Sequence, residues 1–150
     1  LIPLCEADLV VLLPKNISIY EHIFYEEEKG DGKSEGRNLI KLPRKIAPYD
    51  CAVFQLVYKD GLDEKAKEVK SLLQSNGLTV FYDDSGSVGI RYRRIYEVGV
   101  PAAITIDYDT MKDVTVTIID RDGMKQIRVK IKELDTKIKE FLNGQKIENL

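Results

Sequence analysis

From Cys51 onward the chain alternates short apolar runs with amphipathic stretches, and few folds satisfy that rhythm. Cys51 to Val57 is almost continuously apolar, as a strand covered on both faces must be. Asp60-Gly61 is a turn, and Asp63 to Asn76 reads as a helix. Ala66, Val69, Leu72 and Leu73 share its apolar stripe, and Lys65, Lys67 and Lys70 lie away from it. Asn76-Gly77 supplies a left-handed stop. Leu78 to Tyr82 is a second strand, and the turn at Asp84–Gly89 launches a helix that runs to about Val98, where Gly99 and Pro101 end it. Pro101 to Ile106 is a third strand, and Val114 to Ile119 alternates branched residues as a fourth. Asp122-Gly123 turns the chain back into a short strand over Gln126–Val129. Ile131, Leu134, Ile138, Phe141 and Leu142 mark a last helix, and Lys146 to Leu150 reads as a frayed tail. A β-α-β-α-β order requires right-handed parallel crossovers, and the hairpin adds antiparallel pairing. The expected class is α/β: a mixed, mainly parallel five-stranded sheet with about three flanking helices.

Before Cys51 the pattern is looser. Pro3 and Pro14 break an apolar start, and Asn16 to Tyr25 reads as helical, with Ile17, Tyr20 and Phe24 near helical spacing. Glu26 to Arg37 is rich in glutamate and glycine and reads as a linker. Asn38 to Leu42 is a short strand before Pro43, and Pro48 pushes Ala47 toward an extended conformation. The expected division is residues 1–42 as an N-terminal remnant and linker, and 43–150 as a folded domain.

The length of 150 residues suits one domain with a short extra segment, and 43% hydrophobic content supports a real core. The net charge of -2 excludes a general nucleic-acid coat, so any such grip must be local. Cys5 and Cys51 follow no metal spacing and read as reduced thiols of a cytoplasmic protein. His22 is the only histidine, which argues against histidine-rich metal sites and hydrolytic triads. No apolar run reaches membrane-spanning length, so no membrane partner is expected. Leu9 to Leu13 is bracketed by Asp8 and Lys15, unlike a signal peptide. A start at Leu1 reads as a piece of a longer protein.

Three stretches carry candidate chemistry. Ser85-Gly86-Ser87-Val88-Gly89 could cradle a phosphate at a helix start, but Asp83-Asp84 beside it repels anions. A tight turn with Ser87 as N-cap is the favoured reading. Arg91 and Arg94 share a helix face by spacing, Arg93 and Glu97 are placed for an ion pair, and Val88, Tyr92 and Ile95 face the sheet. These arginines read as a solvated face or as contacts to phosphates and bases. Asp120-Arg121-Asp122 reads equally as a charged hairpin turn or as a base-reading set, because a carboxylate accepts from cytosine N4. Asp83-Asp84 and Asp107/Asp109 could suggest Mg²⁺ or acid–base chemistry, but capping and turn formation are the better reading.

In order and spacing these pieces resemble the anticodon-binding domain of class II aminoacyl-tRNA synthetases, most closely the glycyl type. The likeness runs from about Glu21 to Gly144. It rests on Glu21–Tyr25, Pro43–Pro48, Tyr82–Gly89 with Arg91–Arg94, Glu97–Pro101, Thr105–Thr110 and Asp120–Arg128. The resemblance implies a class IIa anticodon-binding fold over 43–150, preceded by the end of a catalytic domain. It implies a chain that binds glycine tRNA and does no bond chemistry. The parent would be a homodimeric glycine–tRNA ligase using ATP and Mg²⁺, with no cofactor in this chain. The implied tRNA-binding residues are Arg91, Arg93, Arg94, Asp120, Arg121, Asp122 and Arg128, gathered on one rim. Glycine anticodons end in two cytosines, which suits carboxylate acceptors. The chain departs from the family at Ile90, where a basic residue is common, and near Pro14, where an ATP-contacting arginine would stand. No catalytic residue is therefore assigned. A synthetase-like accessory domain that docks protein or DNA, and an enzyme binding nucleotide at Gly86–Gly89, are the alternatives.

Overall fold

The computed structural model describes residues 25–28 and 37–150. A small antiparallel hairpin pairs β1 (Tyr25–Glu28) with β2 (Arg37–Ile40). The main sheet contains β3 (Cys51–Gln55), β4 (Val80–Tyr82), β5 (Ala102–Ile106), β6 (Thr115–Asp120) and β7 (Gln126–Lys130), in the order β4-β3-β5-β6-β7. Between the strands lie α1 (Leu62–Ser75), α2 (Val88–Val98) and α3 (Tyr108–Asp113), and α4 (Leu134–Leu142) follows β7.

The mixed, mainly parallel α/β sheet is the expected one, with one correction. β3 is parallel to β4 and β5, whereas β5–β6 and β6–β7 are antiparallel, so only β6 runs against the other four strands. Residues 107–114 are too few for a crossover, and the chain must return antiparallel. The correction is α3, a fourth helix. It is too short to show apolar periodicity. It exists because Asp107 caps it, accepting from Thr110 N, and Thr110 Oγ1 accepts in return from Asp107 N.

Smaller differences follow local physics. Tyr25 and the glutamates after it form β1 where a helix end and a linker were expected. The rest of the expected helix, from Asn16 to Phe24, lies outside the described residues. The C-terminal tail is not frayed, because Ile147 packs into the core and Lys125 pairs with Glu148.

Both faces of the sheet are covered. Cys51, Val53, Ile104 and Ile106 pack under α1 (Leu62, Ala66, Val69, Leu73) and α4 (Leu134, Ile138, Phe141). Ala52, Phe54 and Ala103 pack under Ile95 and Tyr96 of α2, together with Leu39 of β2. One right-handed crossover runs from β3 out to β4 and the next from β4 back across β3 to β5, so α1 and α2 lie on opposite faces. The connections after β3 and β5 therefore part at the carboxyl ends of these strands, the place where open α/β sheets form a ligand crevice.

Val114 joins α3 to β6 with φ 57°, the left-handed region that a β-branched residue rarely occupies. Its side chain is 49% exposed, so little packing depends on it. Val114→Gly is expected to stabilise the fold by about 0.5–1 kcal/mol, since relief of about 1–2 kcal/mol of strain outweighs the entropy of glycine. Urea unfolding of the two proteins measures the difference.

Candidate nucleic-acid interface

At the carboxyl end of β4 the chain folds tightly into α2. Ser87 caps the helix, its Oγ accepting from Ile90 N at 3.4 Å. Asp83 accepts from Ser85 N at 2.9 Å and from Ser85 Oγ at 2.6 Å. The turn's donor is thus taken by the chain's own carboxylate, which supports the capping reading over a phosphate cradle. Partial burial opposes the charge of Asp83, but hydrogen bonds from Ser85 and Arg94 overcome it and hold the carboxyl below its usual range. Arg94, on the first turns of α2, donates to Asp83 Oδ2 at 2.6 Å and to Ser85 Oγ at 2.6 Å.

Arg91 does not share an open face with Arg94. It is 4% exposed, donates to Gln55 O at 2.8 Å and lies 5.8 Å over the Phe54 ring. Its helical position falls one turn from Ile95 on the core stripe, and its long stem lets it cap the end of β3. Arg93 is exposed on the outer side of α2. Arg128, on β7, grips Asp107 with both terminal nitrogens at 2.8 and 3.2 Å and donates to Thr115 Oγ1 at 3.0 Å. That grip ties α3 to β6 and β7.

The Asp120-Arg121-Asp122 turn is elsewhere. Asp120 pairs with Ala102, which begins β5, so the turn sits at the opposite end of the sheet from the crevice. Asp120 is 8% exposed and accepts from Asp122 N and Gly123 N, both at 3.1 Å. Arg121 is 2% exposed and pairs with Asp122. The expected single rim is therefore not formed. Arg91, Arg94 and Arg128 cluster near the carboxyl ends of the parallel strands, and Asp120, Arg121 and Asp122 lie at the amino end of β5. Buried guanidiniums need internal acceptors, and the strand and helix ends supply them.

The crevice end instead presents Leu56, Tyr58, Tyr108 and Met111, each 40–61% exposed. Tyr108 donates to Asp60 Oδ2 at 3.3 Å, which steadies its ring against the β3–α1 loop. Near them are buried polar atoms with no hydrogen-bond partner among the described residues: both amide atoms of Gln55, the Tyr82 hydroxyl and Arg91 Nε. Burial, then the nearby Asp84 charge, pushes the Tyr82 phenol up, so it remains a neutral donor. Gln55 is fully buried. Sequence reasoning missed Gln55, Tyr58 and Tyr108 as site residues, although Gln55 is the one polar residue in the Cys51–Val57 run. Among the described residues no group of three His, Cys, Asp or Glu could hold a metal ion. No helix among them is long and apolar enough to cross a membrane.

Residues 50–141 match the anticodon binding domain family. This chain belongs to that family. Glycine–tRNA ligase of Archaeoglobus fulgidus is 41% identical over 129 residues, covering 86% of this chain and 22% of that protein. The Aeropyrum pernix glycine–tRNA ligase is 48% identical over 118 residues, covering 77% and 20%. That of Malacoplasma penetrans is 48% identical over 124 residues, covering 81% and 26%. The chain thus spans about a fifth to a quarter of the length of these relatives. A solved prolyl-tRNA synthetase from Cryptosporidium parvum, complexed with L-proline and AMP, superposes with a TM-score of 0.65 at 25% identity, over 70% of this chain and 24% of that one. The anticodon-binding family and the glycyl likeness read from the motifs both stand, and the synthetase neighbour has the same fold.

Two measurements probe this end of the domain. Gln55→Leu removes two buried polar atoms that have no hydrogen-bond partner among the described residues. It is expected to stabilise the free protein by about 1–3 kcal/mol in urea unfolding. The second concerns acid. The hydrogen bond from Arg128 is the largest influence holding Asp107 below the usual carboxylate range. A depressed folded-state value adds stability above the unfolded value of about 3.9, and this is lost as pH falls through the folded value. Arg128→Met should therefore lose less stability than the parent below about pH 4, read as the shift in thermal midpoint between pH 7 and pH 3.

Proposed function

We propose that this chain is the anticodon-binding module of a glycine–tRNA ligase and takes the glycine tRNA anticodon loop at the carboxyl ends of β3 and β5. One observation carries the location: Tyr58 and Tyr108 stand exposed beyond the carboxyl ends of β3 and β5, near buried polar atoms of Gln55, Tyr82 and Arg91 that have no hydrogen-bond partner among the described residues. Unstacked bases find aromatic faces on such a surface. Arg94 keeps 44% of its side chain exposed and Arg128 keeps 36%, so both can reach phosphate while holding their internal partners. Arg93 adds an exposed cation to the same helix. Arg91 acts as the crevice floor.

The chain itself performs no bond chemistry in this reading. The parent is a cytoplasmic homodimer that couples glycine to tRNA with ATP and Mg²⁺, and those groups belong to its catalytic part. The 41–48% identity to glycine–tRNA ligases supports the amino-acid assignment.

Gel shifts with glycine tRNA and an unrelated tRNA test the proposal. Glycine tRNA should bind better, and log affinity should fall linearly with log salt. Tyr108→Ala should weaken binding roughly five- to hundredfold, the value of one stacked base. Equal affinity for both tRNAs, with no effect of Tyr108→Ala, would point instead to a synthetase-like accessory domain that docks another macromolecule.

A further inference from the structure

We propose that Arg121 is a latch that makes the β1–β2 hairpin and residues 37–46 one rigid body with the sheet. Pro43 then cannot act as a hinge between the hairpin and the sheet.

Arg121 N donates to Pro101 O at 3.0 Å, which extends the β5–β6 ladder by one residue and fixes the backbone. The guanidinium then spends every donor internally. Nε donates to Asp122 Oδ1 at 2.7 Å, Nη1 to Gly99 O at 2.9 Å and Ile40 O at 3.1 Å, and Nη2 to Leu42 O at 2.9 Å and Asp122 Oδ2 at 3.2 Å. Three of these acceptors are backbone carbonyls, two from the incoming segment and one from the end of α2. Asp122 neutralises the charge, so the group can be buried. A planar fork fits this set, and an ammonium cannot serve all of it.

Two independent contacts hold the same segment. Gly99 closes α2 with φ 86°, and a Cβ there would stand 3.0 Å from Leu42 Cδ1 and 3.1 Å from Ile40 O. The segment therefore rests on the bare Cα of Gly99, and Leu39 is fully buried against the α2 face. On the far side Arg44 lies 3.6 Å over the Phe141 ring and donates to Phe141 O at 2.6 Å and Gln145 O at 3.0 Å, closing the end of α4. Residues 37–46 are thus fastened at α2 and again at α4. A swivel at Pro43 would break both attachments. The latch sits at the amino end of β5, away from the crevice, so its loss need not touch bound RNA.

Hydrogen exchange of the chain, read amide by amide, tests this. Arg121→Lys keeps the charge but not the fork, and should speed exchange at residues 39–42 by about tenfold or more while β3 and β5 keep their protection. Glycine tRNA affinity should stay within about twofold of the parent. Unchanged exchange at 39–42 overturns the latch. So does a large loss of tRNA affinity with unchanged exchange, which would make Arg121 an RNA contact. Should Arg121→Lys lose protection everywhere, Asp122→Asn decides, since Asp122 is 38% exposed and outside the core. Faster exchange confined to 39–42 then supports the latch, and a uniform or absent change refutes it. Failure of the parent chain to bind glycine tRNA would sink the functional reading and leave the exchange result standing.

Discussion

Strand β3 is buried along its whole length, and the rest of the architecture follows from that demand. Apolar side chains on both its faces need cover on both sides. Crossovers of one hand can supply it only by sending the chain to β4 on one flank and β5 on the other. α1 and α2 are then forced onto opposite faces, and the loops that follow β3 and β5 part. The crevice is a consequence of covering the core before it is a device for binding.

Cationic side chains in this domain act as internal fasteners. Arg91 closes the end of β3, Arg94 holds the turn before α2, Arg128 ties α3 to the sheet, Arg44 caps α4 and Arg121 clamps the incoming segment. Each meets carbonyl or carboxylate oxygens that would otherwise be left at the end of a strand or helix. A domain of formal charge -2 that spends its guanidiniums this way has little positive field to spare. The RNA-binding end proposed above would therefore rely on aromatic faces, helped by a few half-exposed arginines. The buried amide of Gln55, with no hydrogen-bond partner among the described residues, works against the stability of the free protein.

Legibility in the sequence followed the strength of the local signal. The long amphipathic helices and the apolar strands were readable because burial imposes a period, as Ala66, Val69 and Leu73 show. α3 was not, since a helix this short is made by the Asp107 cap and the Arg128 grip, and the grip comes from a distant strand. β1 was hidden for a similar reason: its glutamates look like a linker until β2 pairs with them. At the site, Ser87 as N-cap was legible because its partner is three residues away. Tyr58 and Tyr108 were passed over because an exposed tyrosine has no pattern in one dimension.

By itself the sequence determined the order of the longer elements, the two covered faces of β3 and the family, because these depend on side-chain periodicity and on motifs read along the chain. Only the tertiary structure decided where each arginine points. Arg91 and Arg121 look alike in sequence to exposed phosphate-binding residues, but carbonyls from Gln55, Ile40, Gly99 and Leu42 converge on them from remote segments. The strong cost of leaving such oxygens unpaired, which depends on distances across space, draws the guanidiniums inward.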